Sequence, residues 1–351
     1  MATLTDVSSA SRKVIKWGLV SIVVLSLIPV FTGIIRKSIN IINPEPPPAP
    51  TVKYGKLPKL VFPEDAGDWP EFTLETIEGS LPVLPTMNKV FPVEVNKSRL
   101  LSLQRLTPKA ASAGFSDPPL EIDDQRYKFI HPKYPIEMLT NLVYGTINYK
   151  YEWSGVEDII QTKNAPVGTS AVDSAKGFWS QLVSLPADIV KGTSQVKYLA
   201  ALGNTFAPVE SPFDANFTRA DLFRADLDSL RVVTPGGTTS PIYVIMSSIN
   251  REMKKVVLAD YQYSKIFEEY FATYPLRGVD QAWKDLQERR GHIAVRTVPR
   301  VVIRKVTLGY YESAIPQQFM QPVYLFEGDG GFMAYVPAIG PSYLQEETPA
   351  K

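Results

Sequence analysis

The stretch Trp17–Ile35, WGLVSIVVLSLIPVFTGII, decides how the rest of the chain is read. It holds nineteen residues and no charge. As a helix it would be ~28 Å long, close to the ~30 Å hydrocarbon core of a bilayer. Arg12, Lys13 and Lys16 precede it, and Arg36 and Lys37 close it. Trp17 at the entry suits the headgroup region, and Pro29 is tolerable in a membrane span. A transmembrane anchor is the leading expectation. A cleaved signal peptide and a buried helix of a soluble core are the alternatives; the first has a shorter apolar core. Basic residues are nearly balanced across the stretch, so the positive-inside rule does not set the orientation. The rest of the chain tips it, toward an N-terminus in the cytoplasm and a following domain outside it.

Working outward, Pro44, Pro46, Pro47, Pro48 and Pro50 follow the apolar run. Such a block favours polyproline II, a semi-rigid spacer. The expected organisation is a cytoplasmic tail (1–16), a transmembrane helix (17–37), a Pro-rich stalk (38–68) and three α+β units. The units are 69–165, 166–270 and 271–344, with a frayed tail at 345–351. In each unit helix and antiparallel hairpin recur in tandem, most clearly over 98–153 and 279–339. The fold class read from this order is α+β behind an N-terminal transmembrane helix.

Local patterns support those units. Apolar residues at Ala171, Ala175, Phe178, Trp179 and Leu182 fall at helical spacing, which predicts a helix over Val167–Pro186. Pro241–Ser248 and Lys254–Ser264 read as a β-hairpin. Val279–Arg290 predicts a helix with Ala282, Trp283 and Leu286 buried and Gly291 as its cap. Val301–Ser313 reads as a strand. Pro322–Ile339 reads as a closing hairpin turned by Gly328-Asp329-Gly330-Gly331.

Composition narrows the function. Lysine plus arginine is 37 against 36 for aspartate plus glutamate, a net charge of +1. That offers no basic field for nucleic acid. Cysteine is absent, which excludes disulfides, thiolate catalysis and cysteine-ligated metals. The two histidines, His131 and His292, lie near no nucleophile-elbow motif, and each reads as structural. Asp123-Asp124 and the pair Glu327 and Asp329 read as turns, with too few ligands for calcium. No catalytic, cofactor-binding or metal-ligating residue is singled out, and no cofactor is expected. Tyr310, Tyr311, Tyr324 and Trp283 read as core or half-buried packing. The oddest local feature is RADLF RADLD, Arg219–Asp228, a tandem five-residue repeat. Two copies are too few for a pentapeptide-repeat coil, so it reads as a strand or bend with charges facing solvent.

The last third carries a resemblance. TYPLRGVDQAWKDLQ, VIRKVTLGYYES and QPVYLFEGDGGFMAYVPAI, within 273–339, resemble the closing module of the YycI/YycH type of membrane-anchored regulator. The plan is also similar to PepSY domains. The resemblance implies a non-catalytic, extracytoplasmic interaction or regulatory protein, with the bilayer as partner through 17–35 and a protein partner in the envelope. A subunit of a bacterial envelope assembly, such as a secretion or pilus machine, is the alternative. A carboxylate-dependent cell-wall hydrolase stands behind both.

Overall fold

A computed structural model describes residues 17–18, 29, 49–64, 67–95, 99–249 and 252–346. Met1–Ala49 and Pro50–Lys351 form separate compact units. In the first, Trp17, Gly18 and Pro29 are helical and exposed. The rest of the expected span, and the expected tail at 1–16, lie outside the described residues.

Chain order in the second unit begins with β1 (Glu71–Leu74), β2 (Met87–Pro92), α1 (Arg99–Ser112), β3 (Leu120–Glu121) and β4 (Arg126–Ile130). Next come β5 (Ile136–Asn141), β6 (Thr146–Tyr151), α2 (Glu157–Gln161), α3 (Gly168–Leu182) and α4 (Ala187–Lys191). The middle continues with β7 (Ser194–Leu202), β8 (Thr205–Val209), β9 (Phe217–Leu222), β10 (Val232–Val233), β11 (Ile242–Ser247) and β12 (Val256–Tyr261). The last part holds β13 (Ala272–Pro275), α5 (Val279–Gln287), β14 (His292–Val295), β15 (Arg300–Tyr311), β16 (Phe319–Gly328) and β17 (Met333–Pro337).

These strands build two large sheets. One is nine-stranded and antiparallel, in the order β3-β4-β5-β6-β12-β11-β9-β7-β8. The other is eight-stranded, with the path β1-β15-β16-β17-β14 and with β2, β10 and β13 joined at its side. The expected hairpins are present: β11 pairs with β12, and β16 with β17. Helices sit where the spacing put them. α3 buries Ala171, Ala175, Trp179 and Leu182 against the nine-stranded sheet. α5 buries Ala282 and Leu286 against the other, with Trp283 packed beside them. Its left-handed terminal residue is Arg289 at φ 63°, two residues before the expected glycine cap. α1 runs through Pro108 without interruption.

Two expectations are corrected. The first is the α+β class with tandem units. Strands dominate, and pairing cuts across the unit boundaries. β1 lies parallel to β15, Glu71 beside Arg300 and Leu74 beside Ile303. β2 pairs with both β13 and β16. Hydrophobic period reports which face a strand buries and not which strand it meets. Sheet partners more than 200 positions away are therefore invisible to it.

The second correction concerns the membrane. No helix among the described residues is long and apolar enough to cross one. The longest, α3, has 15 residues, or ~22 Å at 1.5 Å per residue, short of the ~30 Å required. The single-pass anchor, the bilayer as partner through 17–35, the cell-membrane localisation and the cytoplasmic N-terminus rested on the apolar run, its basic flanks and Trp17. None has a spanning helix among the described residues to stand on.

The segment 50–62, counted with the stalk, runs along the eight-stranded sheet. Leu57 is fully buried and bridges Leu344. Gln321 donates to the Pro58 carbonyl at 2.8 Å. Tyr274 donates to the Gly55 carbonyl at 3.0 Å.

Candidate functional site: the junction at Arg224

The tandem repeat Arg219–Asp228 crosses from one sheet toward the other, and its two halves meet different surroundings. In the first half, Arg219 and Asp221 lie two residues apart on β9 and so share a face. Asp221 is fully buried. It accepts a two-pronged pair from Arg219, at 2.9 and 2.8 Å, and the Ser240 amide at 2.8 Å. The Arg219 guanidinium stacks 3.6 Å from the Tyr243 ring centroid. Tyr243 donates to Asp260, which also accepts from Asn148 at 2.7 Å. These groups form one row across β9, β11, β12 and β6. Burial first, then Asp260, pushes the Tyr243 phenol up.

In the second half, Arg224 lies just past β9 with its side chain 2% exposed. Nε donates to Glu312 at 2.6 Å, Nη1 to Asp188 at 2.6 Å, and Nη2 to the Ser264 carbonyl at 2.6 Å. The guanidinium lies 4.0 Å from the Tyr263 ring centroid, and Tyr263 donates to Asp188 at 3.1 Å. Asp188 comes from α4, Ser264 follows β12, and Glu312 follows β15 of the other sheet. One side chain thus joins both sheets and a helix. A planar fork with several fixed donors suits that task, and a lysine would not.

Backbone packing makes the junction possible. At Gly192, just after α4, an added Cβ would sit 1.9 Å from the Phe223 carbonyl oxygen. Only glycine permits this approach. It lets Phe223 donate to the Thr193 carbonyl at 2.9 Å and Ala225 to the Asp188 carbonyl at 2.8 Å.

Electrostatics follow from burial. Desolvation lowers the proton affinity of Arg224, but Glu312, Tyr263 and Asp188 outweigh it, and the net direction is up. Burial pushes Tyr263 up to about 12, and it raises Tyr261 as well. Above Arg224 opens a cleft of about 550 Å³, lined among others by Glu94, Asp226, Tyr263, Lys265 and Glu268. Glu94, Asp226 and Glu268 have no ion-pair partner among the described residues. The reading of this repeat as solvent-facing therefore fails for Asp221 and Arg224 and holds for Asp226 and Asp228, which are exposed.

The other sequence candidates lie apart from the junction. His131, in the turn between β4 and β5, accepts the Lys133 and Tyr134 amides on Nδ1, both at 3.1 Å. Burial, then Lys133, lowers its pKa. His292, opening β14 in the other sheet, stacks on Phe62 and lies 2.8 Å from the Pro235 carbonyl through Nε2. Asp123 caps its turn by accepting the Gln125 and Arg126 amides. Glu327 pairs with Arg231, and Asp329 takes both prongs of Arg304. Tyr310, Tyr311 and Tyr324 are core. No group of three or more His, Asp or Glu that could hold a metal occurs among the described residues.

Sequence reasoning missed Asp188, Tyr263 and Glu312, which lie far from Arg224 in the chain. It also missed Asp285, whose signal was visible: an acid beside Ala282 and Leu286 in the apolar stripe of α5. Asp285 is 3% exposed and accepts from Arg277, Gln281 and Arg290.

No family model matches the chain, and no curated protein is significantly similar to it. Among solved structures, it is similar to an uncharacterized protein from Eubacterium rectale ATCC 33656. That match has 12% identity and a TM-score of 0.38, covering 71% of this chain and 82% of the other. It is also similar to the Bacillus megaterium YpeB C-terminal domain, at 12% identity and a TM-score of 0.32, covering 72% and 96%. At these scores neither carries an argument about fold or function.

Proposed function

We propose that this protein is a non-catalytic interaction module of regulatory type that holds a basic segment of a partner protein in the cleft above Arg224. The observation that carries the reading is the cleft's acidic wall: Glu94, Asp226 and Glu268 line it without an ion-pair partner among the described residues. Each nitrogen of the Arg224 guanidinium donates once, to Glu312, Asp188 or Ser264, which fixes the floor of the cleft. Its wall leaves Glu94, Asp226 and Glu268 for a partner's cations, and a rigid floor lowers the ordering cost of binding.

The test is affinity capture with the full-length chain beside the double variant Asp226→Lys, Glu268→Lys. A partner held by the wild type and lost from a folded variant supports the reading. Equal capture by both proteins, or substrate turnover that disappears with a single carboxylate substitution, contradicts it.

A further inference from the structure

The segment from Thr51 to Phe62, TVKYGKLPKLVF, lies on the eight-stranded sheet as a bound peptide would. Side chains of β16 alternate between its faces. Tyr324 and Phe326 join the cluster under α5, while Val323 and Leu325 face the opposite way with Tyr311, Met333 and Tyr335. Leu60 and Phe62 pack over that second face. Phe62 stacks on His292 at 5.3 Å between centroids and meets the Tyr311 ring edge-on at 4.8 Å. Leu57, fully buried, anchors the segment among Val90, Ala272, Tyr274 and Ile339.

Buried side chains of the sheet read the main chain of this segment. Gln321, 3% exposed, donates to the Pro58 carbonyl at 2.8 Å. Fully buried Tyr274 donates to the Gly55 carbonyl at 3.0 Å, and Tyr311 reaches the Val61 carbonyl at 3.4 Å. Buried donors are costly to leave unpaired, so these positions call for the carbonyls of an extended chain. The segment itself is held outside the strand ladders. Its β-pairing among the described residues is one parallel bridge, Leu57 beside Leu344. Val52 sits at φ 43°, left-handed backbone that strains a β-branched residue, and release returns that strain. A cavity of about 630 Å³ opens beside Lys59, Leu60 and Phe62, walled by Gln281, Arg290 and Pro337 among others. The segment thus leaves part of its own seat open.

We infer that residues 51–62 are an autoinhibitory strap, filling in cis a groove that takes an extended segment of a partner protein with the spacing Leu-Pro-x-Leu-x-Phe. The strap itself sets that spacing. Leu57, Leu60 and Phe62 are its anchors, and Pro58 brings no N–H to satisfy while its fixed φ presets the extended form. The mode is that of a proline-containing ligand in an aromatic-lined groove. A tethered strap competes at high effective concentration, so the partner segment binds when the strap is weakened or lifted. The strap of a second copy would repeat the same contacts and gain nothing over the tethered one. A partner that also fills the open cavity gains contacts the strap does not make. The inference stands independently of the cleft above Arg224.

The probe is a fluorescent synthetic peptide of sequence 51–62, titrated into the full-length chain and followed by anisotropy. Two changes weaken the strap from its own side. Gly55→Ala strains a backbone held at φ 65° while its Cβ meets nothing within 4 Å. Leu60→Ser with Phe62→Ser removes two anchors. Relative to the wild-type chain, peptide affinity should rise about fivefold in the first and about a hundredfold in the second. A peptide carrying Leu57→Asp should bind none of the chains. The Thr51 and Thr273 hydroxyls lie 3.4 Å apart. Thr51→Cys with Thr273→Cys, added to the Gly55→Ala chain, should therefore shut the groove when oxidised and reopen it when reduced. Gly55→Ala and the cysteine pair decide the matter if the double serine chain does not fold. No saturable binding by the weakened chains, equal binding by oxidised and reduced protein, or undiminished binding of the Leu57→Asp peptide would overturn the inference. So would a doubled mass of the Gly55→Ala chain without peptide, which would assign the groove to a second copy.

Discussion

The two arginines of one repeated pentapeptide play unequal parts. Arg219 closes on Asp221 two residues away and stacks on a neighbouring strand. Its interactions stay inside the nine-stranded sheet. Arg224 reaches Asp188, Ser264 and Glu312, on three segments far from it in the chain. The same residue type in the same local sequence thus serves one sheet in the first copy and joins two sheets in the second. What differs is where β9 ends. Leu222 is its last residue, so Arg224 falls on the crossing segment, where no ladder claims its surroundings.

The largest expected effect breaks this contrast outright. Arg224→Met leaves Asp188 and Glu312 facing each other across the junction without their cation. Removing one partner from a buried ion network costs about 3–5 kcal/mol, and urea unfolding should show it. Arg224→Lys should recover little, because an ammonium cannot reproduce the three-way fork. Arg219→Met should cost less, about 1–3 kcal/mol, since the Ser240 amide still serves Asp221. Equal losses for the two arginines would erase the distinction. Gly192→Ala sharpens it from the backbone side. Its Cβ would collide with the Phe223 carbonyl, and such overpacking costs about 1–3 kcal/mol.

Acid should expose a third charged cluster. Burial alone would raise the Asp285 carboxyl, but its bonds from Arg290, Gln281 and Arg277 hold it below the ordinary value. A depressed folded-state pKa stabilises fully above the unfolded value of about 3.9. That contribution is lost as pH falls through the lower folded value. Asp285→Asn should therefore flatten the acid limb of a stability-against-pH curve below about pH 4. The smallest effect is expected at the exposed pair of Arg300 and Glu71, 3.1 Å apart. Arg300→Ala should change stability by about 0–1 kcal/mol, which makes it the control for the series.

The sequence carried local structure better than global arrangement. β15, α3, α5 and both late hairpins fall close to where their periodicities put them, because burial of one face is written into spacing. Their assembly was not legible. Glu71 beside Arg300 is a non-local pairing, and no local pattern announces it. Misreading the repeat had the same cause. Alternating charge on a short segment reads as solvent-facing, yet Asp221 is buried because Arg219 and Ser240 satisfy it. Within the candidate site the arginines were visible as an oddity, while nothing in the local pattern singled out Asp188, Tyr263 or Glu312, which only the fold brings to Arg224.

Hydrogen exchange on the full-length Arg224→Met variant tests the central claim, that one side chain ties the two sheets together beneath the cleft. The account predicts joint loss of protection in 186–193, 222–228, 262–266 and 310–314, with the Arg219 row on β9 and β11 still protected. Unchanged protection in those four segments, or uniform loss across both sheets, would contradict it.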